Sequence, residues 1–117
     1  TCRARRGKII NLLDSRLGAG RANTVPYTLS KKMLAELTVL AAKELAPAFT
    51  VNAVAPGAVL AADRQGGVRH KAGRFPLGRR PTLEDVAQAV VFLLRSAAIT
   101  GQIICVDGGQ HLLGSSL

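Results

Sequence analysis

Phe49-Thr-Val-Asn-Ala-Val-Ala-Pro-Gly57 is the stretch on which the reading of this chain turns. It is a β-branched and apolar run, interrupted by one Asn and ended by Pro56-Gly57, which predicts a strand. Upstream, residues 8–13 (KIINLL) form a second apolar run without the alternation of a half-exposed strand, as expected of a strand buried on both faces. From about Tyr27 to Leu45, apolar residues fall at Leu29, Met33, Leu34, Leu37, Leu40, Ala41 and Leu45. That spacing predicts an amphipathic helix, closed by Pro47. Residues 15–26 hold Gly18, Gly20, Asn23, Thr24 and Pro26 and read as a loop. Downstream, residues 58–80 carry Gly66, Gly67, Gly73 and Gly78 with much of the charge; a connection of this length usually marks a lid or binding segment. Pro81-Thr82 opens a second helix, with Thr82 as its cap and Asp85 where a capping-box acid belongs. Leu83, Val86, Ala87, Val90, Leu93 and Leu94 make its apolar face. QIICVDGG, residues 102–109, predicts a last strand stopped by Gly108-Gly109.

The order strand, helix, strand, helix, strand, with crossovers long enough for parallel pairing, predicts an α/β layered fold with right-handed connections. Composition agrees. The aromatics are Tyr27 and three phenylalanines, so the core must be built from Leu, Val, Ile and Ala. No apolar run approaches the roughly 20 residues that span a bilayer, so no membrane partner is expected. The net charge of +9 raises nucleic acid as a partner. The basic residues, however, are not interleaved with aromatics, and no zinc, helix-turn-helix or RNA-recognition motif accompanies them. A solvated face or attraction for an anionic cofactor is the better reading. Cys2 and Cys105 stand apart, with no CxxC spacing and no histidine pattern, so they read as reduced thiols and no metal site is expected. The sole methionine is Met33, which points to a processed chain or a piece of something longer, and we favour the piece.

Tyr27 and Lys31 lie four apart at the start of a helix and project the same way. A phenol, with its ordinary pKa near 10, is a poor proton source at neutral pH. A nearby ammonium favours the phenolate and brings that pKa toward the working range. The spacing alone also describes a partly buried Tyr beside a surface Lys.

In order and spacing, GKIIN (7–11), YTLSK (27–31), VNAVAPG (51–57) and VDGG (106–109) resemble the short-chain dehydrogenase/reductase family, from Gly7 to Leu113. The resemblance implies the C-terminal part of a Rossmann-type doubly wound parallel sheet, three strands with flanking helices. It implies a cytoplasmic, NAD(P)-dependent oxidoreductase acting on a small molecule, with NADP(H) favoured over NAD(H). By the same resemblance Tyr27 exchanges a proton with the substrate oxygen or nitrogen and also takes part in cofactor binding. Lys31 binds the nicotinamide ribose and lowers the Tyr27 pKa. Pro56, Gly57 and the backbone near Val59 lie against the nicotinamide, and Asp107-Gly108-Gly109 is mainly structural. Homodimers or homotetramers, packed through the helix after Tyr27, are implied for the full-length protein.

Two departures bear on mechanism. The family usually places a catalytic Ser thirteen positions before the Tyr, where this chain has Asp14, with Ser15 one position out of register. An Asp there resembles the pteridine reductase branch, as do TGQ and DGGQHL near the end. A carboxyl suits proton relay to a ring nitrogen, whereas a hydroxyl suits polarisation of a ketone. The alternatives are a turn-capping carboxylate at Asp14, or a local shift that lets Ser15 take the hydroxyl role. Second, Ala61 and Ala62 stand where the family often has a Thr against the cofactor amide. Arg69, His70, Lys71 and Arg74 could meet an anionic substrate but read better as solvated charge, and His111 is given no catalytic role. The sequence contains no GxxxGxG or GxGxxG turn. Residues 1–117 therefore read as a partial domain without its N-terminal nucleotide-binding half, inactive alone. The competing reading is a non-catalytic remnant serving as a structural or interaction module.

Overall fold

A computed structural model describes residues 5–15, 25–59 and 75–113. The expectations placed on Cys2, on most of the 15–26 loop, and on Ala61, Ala62, Arg69, His70, Lys71 and Arg74 lie outside the described residues. The elements are β1 (Gly7–Leu12), α1 (Val25–Leu45), β2 (Phe49–Pro56), α2 (Leu83–Arg95), β3 (Ile103–Val106) and a short 3-10 turn at Gln110–Leu112. The strands form one parallel sheet in the order β1-β2-β3. Gly7 pairs with Phe49 at one end of β1 and Leu12 with Val54 at the other, while Ala53 to Pro56 pair with Ile103 to Val106.

The central strand earns its place by composition. Residues 51–55 of β2 are all buried, and both neighbours are less so. A strand flanked on both sides and covered on both faces must carry small or branched apolar side chains throughout. The one polar residue within 51–55, Asn52, is hydrogen-bonded through both ends of its amide: its side-chain N–H donates to the Ile99 carbonyl and its oxygen accepts from the Gln102 N–H, both at 3.0 Å. The two helices lie on opposite faces, as the alternation of side chains along β1 shows. Asn11 donates to the Thr38 hydroxyl on α1, whereas Lys8 donates to the Ser96 carbonyl at the end of α2. The core under α1 consists of Leu13, Ala53 and Ala55, with Leu34, Ala35, Ile103 and Cys105 packed on it.

α1 begins two residues before the predicted start. Pro26 fits within the first turn because its missing N–H would have no helical partner there. A larger difference concerns which face is buried. α1 buries Thr38 and Ala42 and packs Leu34 and Ala35 against the core, while Leu29, Met33, Leu37 and Leu40 stay 55–63% exposed. The apolar positions read as one stripe belong to two sides of the helix. On α2 the predicted cap is present: the Asp85 N–H donates to the Thr82 hydroxyl at 3.1 Å, and the Thr82 N–H donates to the Asp85 carboxylate at 2.8 Å. Of its predicted apolar face only Leu93 is buried; Leu83 and Leu94 remain exposed.

Candidate active site

The carboxyl ends of parallel strands are where open α/β sheets present their ligand sites, because the loops leave the sheet there together. β1 ends at Leu12 and delivers Asp14 to that end; β2 ends at Pro56 and delivers Gly57. The first turns of α1 bring Tyr27 and Lys31 to the same place. The Tyr27 hydroxyl donates to the Asp14 carboxylate at 3.1 Å. Asp14 is 8% exposed and Tyr27 49%, so a buried acceptor holds a phenol whose ring remains open to solvent. Lys31 donates to the Leu12 carbonyl at 2.9 Å, and its ammonium stands 5.9 Å from the Tyr27 ring centroid. The Leu12 carbonyl thus anchors the lysine beside the phenol. Sequence reasoning missed this anchor because a backbone group carries no signature.

Ser15 takes a different course from Asp14. Its N–H donates to the Pro56 carbonyl at 3.0 Å and its side chain is buried against Asp107. There the hydroxyl is near enough to add to the lowering of the Asp107 pKa, yet makes no hydrogen bond of good geometry. Asp14, not Ser15, faces the tyrosine. Pro56, Gly57 and Val59 lie half-buried at the end of β2, with the Gly57 N–H donating to Val106 and the Val59 N–H to Gly57. Gly57 is required by packing: a Cβ there would come within 2.6 Å of the Asp107 Cβ and 3.0 Å of its Cα.

Asp107 closes the neighbouring turn. Gly108 and Gly109 have φ of +64° and +89°, the left-handed region glycine favours, and they fold the chain back over Asp107. A Cβ on Gly109 would also press on Pro76 at 3.0 Å. The returning backbone donates to the Asp107 carboxylate from Gly109 (3.0 Å) and His111 (2.7 Å), and the His111 Nδ1 lies 2.9 Å from both oxygens. Burial pushes the Asp107 carboxyl up, but the His111 ring, these N–H groups and Ser15 outweigh it and hold the carboxyl below its usual range. The His111–Asp107 pair is the second feature missed in the sequence.

The residues present fit the nicotinamide-ribose end of a dinucleotide: a phenol, an ammonium and a Pro-Gly corner share one end of the sheet. Among the described residues no glycine-rich turn leads from a strand into a helix to receive a pyrophosphate. No described helix is long and apolar enough to cross a membrane.

A family model described as enoyl-(acyl carrier protein) reductase matches residues 1–111. The chain is 43% identical to carbonyl reductase family member 4 of Danio rerio over 111 residues, covering 92% of this chain and 46% of that protein. It is 35% identical to the short-chain dehydrogenase/reductase homolog YusR of Bacillus subtilis, covering 91% of this chain and 84% of the relative. Among solved structures, FolM alternative dihydrofolate reductase 1 from Brucella canis, complexed with NADP, superposes with a TM-score of 0.83 at 35% identity, covering 99% of this chain and 47% of that one. The chain thus spans about half the length of the carbonyl reductase and FolM relatives.

Proposed function

The chain belongs to the short-chain dehydrogenase/reductase family, and from that premise we propose that it forms the proton-delivering, C-terminal part of an NADPH-dependent reductase whose substrate is a pteridine-like ring C=N. The observation that carries this reading is the Tyr27 hydroxyl held at 3.1 Å by the buried Asp14 carboxylate. A nicotinamide cofactor, when bound, supplies the hydride. Tyr27 and Asp14 act as a hydrogen-bonded pair that delivers a proton to the substrate nitrogen, and Lys31 meets the negative charge left on the phenol. Lys31 would also hold the nicotinamide ribose, with Pro56, Gly57 and Val59 against the nicotinamide. A carboxylate in place of the family's hydroxyl favours a ring nitrogen over a ketone. The name of the FolM relative supports this choice, since a dihydrofolate carries a pteridine ring. NADP in that structure supports NADPH over NADH. The exposed stripe of Leu29, Met33, Leu37 and Leu40 supports packing of α1 against a second copy, and we place the enzyme in the cytoplasm.

The 117-residue chain needs a glycine-rich nucleotide-binding half to turn over. Titration calorimetry with NADPH is therefore expected to give no detectable heat at high micromolar chain; saturable binding would contradict this and point to a phosphate cradle within residues 16–24 or 60–74. Joined to such a half, the protein is expected to oxidise NADPH faster with a dihydropterin than with a ketone. A preference for the ketone would overturn the substrate assignment. A second reading, a non-catalytic interaction module, is favoured by the lack of a glycine-rich turn in the sequence. The same assay decides it: no turnover with either substrate in the joined protein supports the module.

A further inference from the structure

We propose that Cys105, Asp107 and His111 form a Zn2+ site at the carboxyl end of β3. Their donor atoms (one thiol sulfur, one carboxylate oxygen, one ring nitrogen) all lie within 4.8 Å of one another. The spacing Cys-x-Asp-x3-His carries no familiar metal signature, and it is the turn that makes the site. Gly108 and Gly109 reverse the chain, the 3-10 turn at Gln110–Leu112 swings His111 over Asp107, and the Asp107 carboxylate fixes the backbone of both Gly109 and His111. Cys105 projects from β3 toward the same side, against the core under α1. Asp107 is buried and Cys105 half-buried, while the His111 side chain is 33% exposed and gives a cation a route in.

The donor set selects the metal. A thiolate and an imidazole beside one carboxylate suit a borderline-soft cation such as Zn2+, whereas Mg2+ and Ca2+ ask for oxygen ligands. Tetrahedral Zn2+ with ordinary bond lengths sets its protein donors about 3.3–3.8 Å apart. The separations here, from 2.9 Å between His111 and Asp107 to at most 4.8 Å, bracket that range, so side-chain shifts of about 1 Å complete the shell. Zn2+ takes the Cys105 sulfur as a thiolate, so the thiol proton leaves, and it takes the lone pair of His111 Nδ1 in place of that nitrogen's direct contact with Asp107. About one proton leaves per Zn2+ bound, and water fills the fourth position. The site would tie β3 to the chain after it, beside Ser15 and one residue from Asp14.

The test is a titration of the purified full chain with Zn2+ alone, in competition with a chromophoric chelator, and with Co2+ as a spectroscopic probe. Expected are one equivalent bound, a thiolate-to-cobalt charge-transfer band, and release of about one proton near neutral pH. Cys105→Ser should abolish the band and weaken Zn2+ binding at least about tenfold, since even losing a supporting residue of a metal ligand costs 10–100-fold. His111→Ala should weaken binding likewise. Cys105→Ser changes one atom on a half-buried strand residue, so an unchanged circular dichroism spectrum certifies the fold if His111→Ala disturbs the turn. The proposal is overturned by binding that survives Cys105→Ser, by binding lost instead in Cys2→Ser or His70→Ala, or by no binding to the folded chain.

Discussion

Asp14 follows β1 and Asp107 follows β3, and the two buried carboxylates differ in what they hold. Asp107 accepts from the backbone of its own turn and from His111 four residues on, so its lone pairs are met within one short segment. Asp14 reaches across the fold to the hydroxyl of Tyr27, a residue half open to solvent and held on a different element. A carboxylate satisfied by its own turn fixes the backbone. On the proposed function, one aimed at an exposed phenol beside an ammonium moves a proton. Both lie at the carboxyl end of the sheet, with β2 between their strands.

The largest expected effect tests that difference in role. In the protein joined to a nucleotide-binding half, Asp14→Asn should lower turnover by about 10²–10⁴, the range for one general acid-base group. Its stability should change by less than about 1 kcal/mol, because the Asn carbonyl still accepts from Tyr27. Asp107→Asn should do the reverse. It removes a charge and an acceptor from a buried cluster, so urea unfolding should show a loss of about 2–3 kcal/mol. Turnover per folded molecule should stay within severalfold. Equal losses of activity in the two variants would erase the distinction.

Smaller effects sharpen it with a third carboxylate, one exposed at a helix start. Thr82→Ala removes one half of the α2 capping box and should cost about 1 kcal/mol. The Thr82 N–H, then Arg79 at 3.2 Å, hold the Asp85 carboxyl below its usual range. A folded-state pKa below the unfolded value gives stability that is present above about pH 4 and lost as the pH falls through the folded pKa. Asp85→Asn should therefore flatten the acid end of the stability-pH curve slightly. A curve unchanged by that substitution would show that the exposed carboxylate contributes nothing.

Much of this was legible in the sequence, for reasons that differ by element. β2 could be read because a strand enclosed on all sides must be nearly all apolar, and VNAVAPG is, with Asn52 the one exception. α2 announced its start because capping depends on residues three apart. The Asp14, Tyr27 and Lys31 set could be listed, but not its geometry: the lysine anchor is a backbone carbonyl, and the choice between Asp14 and Ser15 depends on how the chain leaves β1. The faces of α1 were misjudged because 3.6-residue periodicity marks apolar positions without saying what covers them. Leu34 and Ala35 meet the sheet, while Leu37 and Leu40 do not. The Asp107–His111 turn was invisible because two left-handed glycines bring together residues that a strand followed by a loop would keep apart.

Proton delivery by Tyr27 is probed most sharply by the rate of NADPH oxidation, with a dihydropterin, by the chain joined to a nucleotide-binding half, measured for Tyr27 and for Tyr27→Phe. Phe keeps the ring and removes only the hydroxyl that Asp14 holds. A loss of about 10²–10⁴ in turnover is expected, with cofactor binding little changed because the ring stays in place. Turnover by Tyr27→Phe within a few-fold of the parent would contradict this, and would mean that the phenol held by Asp14 is not the proton source.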